Sequence, residues 1–214
     1  MVSHEILEFE LPQRSDMHWR RKIWHMSTVF VLFLIQSSLP HDIVLALFTL
    51  AWLTFVPLDF LRQRSVSLNQ VLLKIFRGVV RRNEIHRLAG TTYLLTGVIL
   101  IHLLFQGQVV SLSLLFLAFA DPIASFFGIR FGRRRILNGK SLEGTLAAFL
   151  VCVFCCWLQM RGNFGTNMEL VLFCFLGGWV GALAELFVIK EIDDNLTLPI
   201  LSALGLWALL SVFS

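Results

Sequence analysis

Residues 121–145 read DPIASFFGIRFGRRRILNGKSLEGT, between long apolar runs on either side. The segment holds Asp121, the cations Arg130, Arg133, Arg134, Arg135 and Lys140, and a Gly-Lys-Ser tripeptide. Gly139-Lys140-Ser141 invites a phosphate-binding P-loop. That pattern requires Gly-x-x-x-x-Gly-Lys-[Ser/Thr] after a strand. Here Arg134 stands five residues before Gly139, and the run in front is long enough for a membrane helix. The P-loop reading fails on both counts. A charged turn joining two apolar helices remains.

Composition says what those helices are dissolved in. Of 214 residues, 57% are hydrophobic and only 15% charged, and the mean hydropathy is +0.75. A soluble core of this size cannot hide that excess, so the solvent is a bilayer. The chain is expected to be an all-α polytopic membrane bundle. Apolar runs long enough for about 30 Å of hydrocarbon fall at 23–39, 42–61, 88–105, 109–128, 144–160, 168–189 and 196–213. Residues 1–22 then form an N-terminal arm and 23–214 a single membrane domain. Segment 66–82 has apolar residues at helical spacing and a basic side, so it is expected to lie on the membrane surface.

The arm carries Glu5, Glu8, Glu10 and Asp16, unlike the basic start of a secretory signal, and no small-residue cleavage site follows residue 39. The first apolar run is therefore read as a span. Cys152, Cys155, Cys156 and Cys174 all lie in apolar runs without His or carboxylate close by in sequence, so they are read as small hydrophobes.

Charge orients the map. Segments 1–22, 62–87, 129–143 and 190–195 hold 17 of the 18 Lys and Arg residues, leaving only Arg161 on the other side. The positive-inside rule then places the N-terminus in the cytoplasm. Asp59, Asp121, Glu143 and Glu185 fall within or beside spans, near the same end. By helical rise, Glu185 lies about 7 Å below Lys190 and Asp121 about 13 Å below Arg130. Ionisable groups at such depth are expensive and point to function. Asp59, three residues from Arg62, is the one best explained as interfacial.

Asp121, Ser125, Gly128 and Gly132 share one helical face, with Pro122 beside the acid; Gly177, Gly181 and Glu185 share another. Small residues let helices approach closely. Both faces end in an acid directed toward the basic loop. There, Arg133, Arg134, Arg135 and Lys140 supply charge, while Gly139, Ser141 and Gly144 let amide and hydroxyl donors reach an anion. Membrane anchoring alone accounts for the arginine triplet but not for Glu143-Gly144 beside it. In EIDDNLTLP (191–199), Asn195 is read as a helix cap with Pro199 in the first turn. Capping leaves Asp193 and Asp194 unexplained, and oxygen ligands beside a phosphate site suit Mg²⁺. Cations, acids and depth together suggest phosphoryl or nucleotidyl transfer to a lipid.

The block ADPIASFFGIRFGRRRILNGKSLEGTLA (120–147) resembles the CTP-dependent polyprenol kinase family, which includes dolichol kinase, phytol kinase and CTP-dependent diacylglycerol kinase. Asp121, Gly128, Phe131-Gly132 and Lys140-Ser141-Leu142-Glu143-Gly144-Thr145 carry it. RRKIWHMS (20–27), EIHRLAGTTYLLTG (84–97) and AELFVIKEIDDNLTLP (184–199) are similar to further family blocks; Pro122 departs from the smaller residue expected there. The resemblance implies transfer of the γ-phosphate of CTP to a lipid alcohol with a divalent metal. On that expectation, Arg133, Arg134, Arg135 and Lys140 are assigned to the triphosphate, with Ser141 as a further donor. Gly139, Glu143, Gly144 and Asn195 complete the nucleotide site. Asp193 and Asp194, with Asp121, would hold Mg²⁺; alternatively Asp121 or Glu185 accepts the alcohol proton. His25 and His86 stand at helix entries, either lining the site or capping.

The chain is compact beside dolichol kinases, which favours a bacterial-type enzyme in the inner, cytoplasmic membrane, its site facing the cytoplasm. CTP, a lipid alcohol and the bilayer are the expected partners, and nucleic acid is not. A phosphatidate cytidylyltransferase is the nearest rival, but its long Lys-Asp and His-Gly-Gly signature is missing. A small transporter would need repeats with broken helices at mid-membrane, and the acids gather at one face instead.

Overall fold

The computed structural model describes residues 19–76, 80, 84–85, 87–187 and 192–213. Among them are eight helices and no strand: α1 (Trp19–Ser38), α2 (His41–Arg64), α3 (Val66–Ile75), α4 (Gly90–Leu104), α5 (Gln108–Arg130), α6 (Leu142–Met160), α7 (Asn167–Leu186) and α8 (Asp194–Phe213). The all-α membrane bundle expected from composition is what the chain forms. Helices α2, α5, α6, α7 and α8 are long and apolar enough to cross a membrane. The other two expected spans, 23–39 and 88–105, correspond to α1 and to α4, which has 15 residues.

Helix starts follow local chemistry. Ser65 accepts from Leu68 N to start α3, and Ser141 from Gly144 N to start α6. At α7, Thr166 and Glu169 form a reciprocal capping box, satisfying two amides that the helix leaves without partners. Between α4 and α5, Gly107 adopts φ +57°, a conformation that glycine reaches without Cβ strain.

The surface helix expected over 66–82 is shorter. It runs to Ile75 and ends at Phe76, while 77–79 and 81–82 lie outside the described residues. Its buried side holds Asn69 and Leu73, and Leu73 packs with Val80 and Ile85. One side of this segment therefore faces protein.

Helix α5 is the centre, buried from Val109 through Ala118. Around it pack α1, α6 and α8; α7 closes against α6 and α8, while α2 reaches the bundle through α4. The α6–α7 seam explains both the cysteines and the glycines. A Cβ on Gly177 would come within 2.7 Å of Cys156 Sγ, and one on Gly181 would collide with Cys152 Sγ and meet Phe116 at 2.9 Å. The two cysteines lie one helical turn apart and fill the space that the two glycines leave. Overpacking a tight contact costs about 1–3 kcal/mol. Gly181→Leu is thus expected to lower the thermal unfolding temperature of the detergent-solubilised protein by several degrees, whereas an unchanged midpoint would show that the seam is loose.

Candidate active site

The 121–145 stretch that decides the fold also builds the site. Helix α5 ends at Arg130, and the chain returns to α6 through a short hairpin. Ile136 N donates to Lys140 O (2.8 Å), Lys140 N to Leu137 O (3.0 Å) and Leu142 N to Arg134 O (2.9 Å). Asn138 (φ 53°) and Gly139 (φ 78°) occupy the turn, the two positive φ values of a type I′ turn. Arg135 faces Ser141 across an antiparallel bridge, and its Nη1 donates to Gly139 O (2.9 Å). Asn-Gly is the strongest short-range hairpin signal.

Ser141 lies at the junction with 2% exposure. Its Oγ accepts from Gly144 N (3.1 Å), so its first role is to cap α6. A Cβ on Gly128 would meet this Oγ at 3.0 Å, one on Gly132 would meet Ser141 Cβ at 2.8 Å, and one on Gly144 would meet Ala124 O at 2.6 Å. These three glycines bring the α6 start against the α5 end, with Ser141 wedged between them.

The hairpin turns Lys140 inward. Its Nζ donates to Glu185 Oε1 (2.6 Å) and to the Glu185 carbonyl. That carbonyl belongs to the last turn of α7, where helical oxygens lack partners and a cation is favoured. Glu185 is 3% exposed; its Oε2 is buried with no hydrogen-bond partner.

These groups line a cavity of about 260 Å³. Asp121, Ser125 and Gly128 enter from α5; Arg135, Gly139, Lys140, Ser141 and Gly144 from the hairpin and the α6 start. Glu185 closes it from α7, and Asp193, Asp194 and Asn195 from the start of α8. Ten of the expected site residues thus converge, although they come from four regions of the chain. Three do not: Arg133 and Glu143 line a separate shallow cleft with Arg130, and the Arg134 side chain is exposed.

At α8 the capping expectation is off by two residues. The helix begins at Asp194, and Asp193, not Asn195, caps it: Asp193 Oδ1 accepts from Asn195 N (3.0 Å). Asn195, now inside the first turn, donates through Nδ2 to Gly90 O (3.2 Å). Pro199 accordingly sits inside the helix. A Cβ on Gly97 would come within 2.9 Å of Asn195 O, so α4 packs close to this turn.

Helix α1, where His25 was one expected lining residue, also supplies Arg21 and Lys22, which sequence reasoning missed. It starts a turn before the expected span, and Arg21, Lys22 and His25 line the cavity. His25 Nε2 donates to Leu117 O (3.2 Å), tying α1 to α5 one turn from Asp121. The two cations entered only the positive-inside count; their place in the RRKIWHMS block was the available signal. His86 is outside the described residues. Asp59, expected to be interfacial, does not line the cavity; it is buried and pairs with Arg62 (2.5 Å).

Among the described residues, no three His, Cys, Asp or Glu side chains form a ready-made metal cage. Mg²⁺ does not require one, since it is commonly held by one or two carboxylates together with substrate phosphates and water. Asp121, Asp193 and Asp194 line the same cavity, and Glu185 Oε2 adds an orphaned buried oxygen beside them. This hard, anionic donor set fits Mg²⁺.

Comparison with known proteins points the same way. A CTP-dependent diacylglycerol kinase of Saccharomyces cerevisiae is 28% identical across 90% of this chain and 73% of its own length. Its namesake in Schizosaccharomyces pombe is 26% identical across 89% of this chain and 92% of its length. A third, from Eremothecium gossypii, is 29% identical across 86% of this chain and 64% of its own length. No family model matches the chain, and no solved structure matches it. The three relatives bear out the resemblance to CTP-dependent lipid kinases carried by the Lys-Ser-x-Glu-Gly and Asp-Asp-Asn blocks.

Proposed function

We propose that the chain is a CTP-dependent lipid kinase that moves the γ-phosphate of CTP to a membrane lipid alcohol, with diacylglycerol the first acceptor to offer. One observation carries the reading: Arg21, Lys22, Arg135 and Lys140 share a single cavity with Asp121, Glu185, Asp193 and Asp194, at the end of the bundle where basic residues cluster. The names of the relatives supply the nucleotide and the acceptor.

In this reading the cavity opens toward the cytoplasm of a multi-pass protein in the inner membrane, with the N-terminus on the same side. The acceptor oxygen bonds to the γ-phosphorus as the bridging bond to the β-phosphate breaks, giving CDP and a lipid phosphate. Such transfer depends on positioning and charge neutralisation. Arg21, Arg135 and Lys140 hold the triphosphate, with Ser141 and the α6 first turn beside it. Arg133 and Arg134, set apart from the cavity, serve the membrane surface or the outer edge of the nucleotide. Asp193 and Asp194, with Asp121, hold Mg²⁺, which supplies charge neutralisation at the phosphates. Asp121 or Glu185 takes the hydroxyl proton; Glu185 Oε2 has no hydrogen-bond partner.

Analysis of the nucleotide product separates this from cytidylyl transfer. Purified protein in lipid is expected to release CDP, to stop when the divalent cation is chelated, and to recover when Mg²⁺ is restored. Pyrophosphate and a CDP-lipid would instead establish the rival chemistry.

A further inference from the structure

A second polar assembly lies outside the cavity lining. Asp59, Arg62, Asn69 and Thr92 are all about 5–6% exposed, yet each is hydrogen-bonded. Asp59 Oδ1 accepts from Arg62 Nε (2.5 Å), while its Oδ2 accepts from Thr92 Oγ1 (2.5 Å) and Ala89 N (2.8 Å). Arg62 donates onward to Asn69 Oδ1 (2.9 Å) and to Arg87 O (2.8 Å). Asn69 Nδ2 donates to Ile85 O (3.1 Å). The backbone entering α4 is therefore gripped at residues 85, 87 and 89. Glu84 begins this gripped segment.

Glu84 itself is 6% exposed. It meets the Arg21 guanidinium through both oxygens: Nη2 donates to Oε1 (2.8 Å) and Nη1 to Oε2 (3.1 Å). A Cβ on Gly90 would meet Arg21 Nη2 and Asn195 Nδ2, each at 2.9 Å. Arg21, Glu84, Gly90 and Asn195 thus form one close-packed corner, and two of its members, Arg21 and Asn195, line the cavity.

The geometry points to Glu84 as a positioning residue for the phosphate-binding Arg21, anchored in turn by the Asp59–Arg62–Asn69–Thr92 network. An arginine carries several flexible bonds, and ordering it at the moment of binding consumes affinity. A two-point pair fixes the plane of the guanidinium before the anion arrives. Glu84 does not line the cavity; it acts through Arg21. The inference rests on the nucleotide reading of the cavity and adds the means by which one cation is aimed.

The test is a double-mutant cycle on the full-length protein in detergent, with CTP affinity and the Michaelis constants for CTP and diacylglycerol as readouts. Glu84→Gln keeps the shape and removes the charge. It is expected to weaken CTP binding and raise its KM by about tenfold, the scale of modest misplacement; the diacylglycerol KM should hold within twofold. In an Arg21→Ala background the same substitution should change CTP affinity less than about twofold. Glu84→Asp should recover part of the loss. Equal effects in both backgrounds, or a fall in thermal stability with unchanged CTP affinity, would assign Glu84 to the fold alone and overturn the inference. Wild-type protein that binds no CTP would overturn the nucleotide reading, and this inference with it.

Discussion

Asp121→Asn is expected to reduce phosphoryl transfer by at least about 100-fold, the lower end of what a positioned acid–base group contributes, while the protein folds normally. Asparagine preserves the size of the side chain and removes its charge, so packing along α5 should survive. Asp121 sits one turn beyond Leu117, whose carbonyl receives His25, and it lines the cavity together with Asp193 and Asp194. As a metal ligand or as the proton acceptor, it serves through its negative charge. The two roles separate experimentally: raised Mg²⁺ or substituted Mn²⁺ rescues a weakened metal site but not a missing base. Thermal unfolding should be nearly unchanged. Full activity in Asp121→Asn would remove Asp121 from the mechanism.

Lys140→Met is expected to abolish transfer and also to destabilise the bundle. Lys140 and Glu185 pair at 2.6 Å, with side-chain exposures of 21% and 4%. Removing one partner of a buried pair leaves the other charge uncompensated, which costs about 3–5 kcal/mol. Replacing both partners by apolar groups of similar size removes that penalty. The double variant Lys140→Met/Glu185→Leu should therefore regain much of the unfolding midpoint lost by the single variant while remaining inactive. Unfolding midpoints and turnover measured on the same preparations check both halves. Recovered activity in the double variant would show the pair to be structural only.

The difference between what was legible and what was not lies in the range of the interactions. Long apolar runs mark helices because each must bury or bathe its own surface, and five of the seven expected spans meet the length and composition of a membrane helix. The convergence of Asp121, Lys140, Glu185, Asp193 and Asp194 was readable from their shared nearness to one membrane face. The direction of each side chain was not. Which arginine of the triplet enters the cavity depends on the hairpin: Asn138 and Gly139 reverse the chain so that Arg135, not Arg133 or Arg134, lies beside Ser141. The α8 cap falls to Asp193, while Asn195 instead reaches Gly90, 105 residues away. Likewise Arg21 pairs with Glu84 across 63 residues. No local pattern reports such contacts.

The central claim is transfer of a terminal phosphate to a lipid hydroxyl. The most direct measurement offers γ-labelled CTP to the purified protein in liposomes containing diacylglycerol, with phytol and polyprenols as alternative acceptors. Label is expected in an organic-soluble lipid phosphate, and almost none with Asp121→Asn. Folded wild-type protein that leaves all of the label in the aqueous nucleotide fraction, with every acceptor offered, would contradict it.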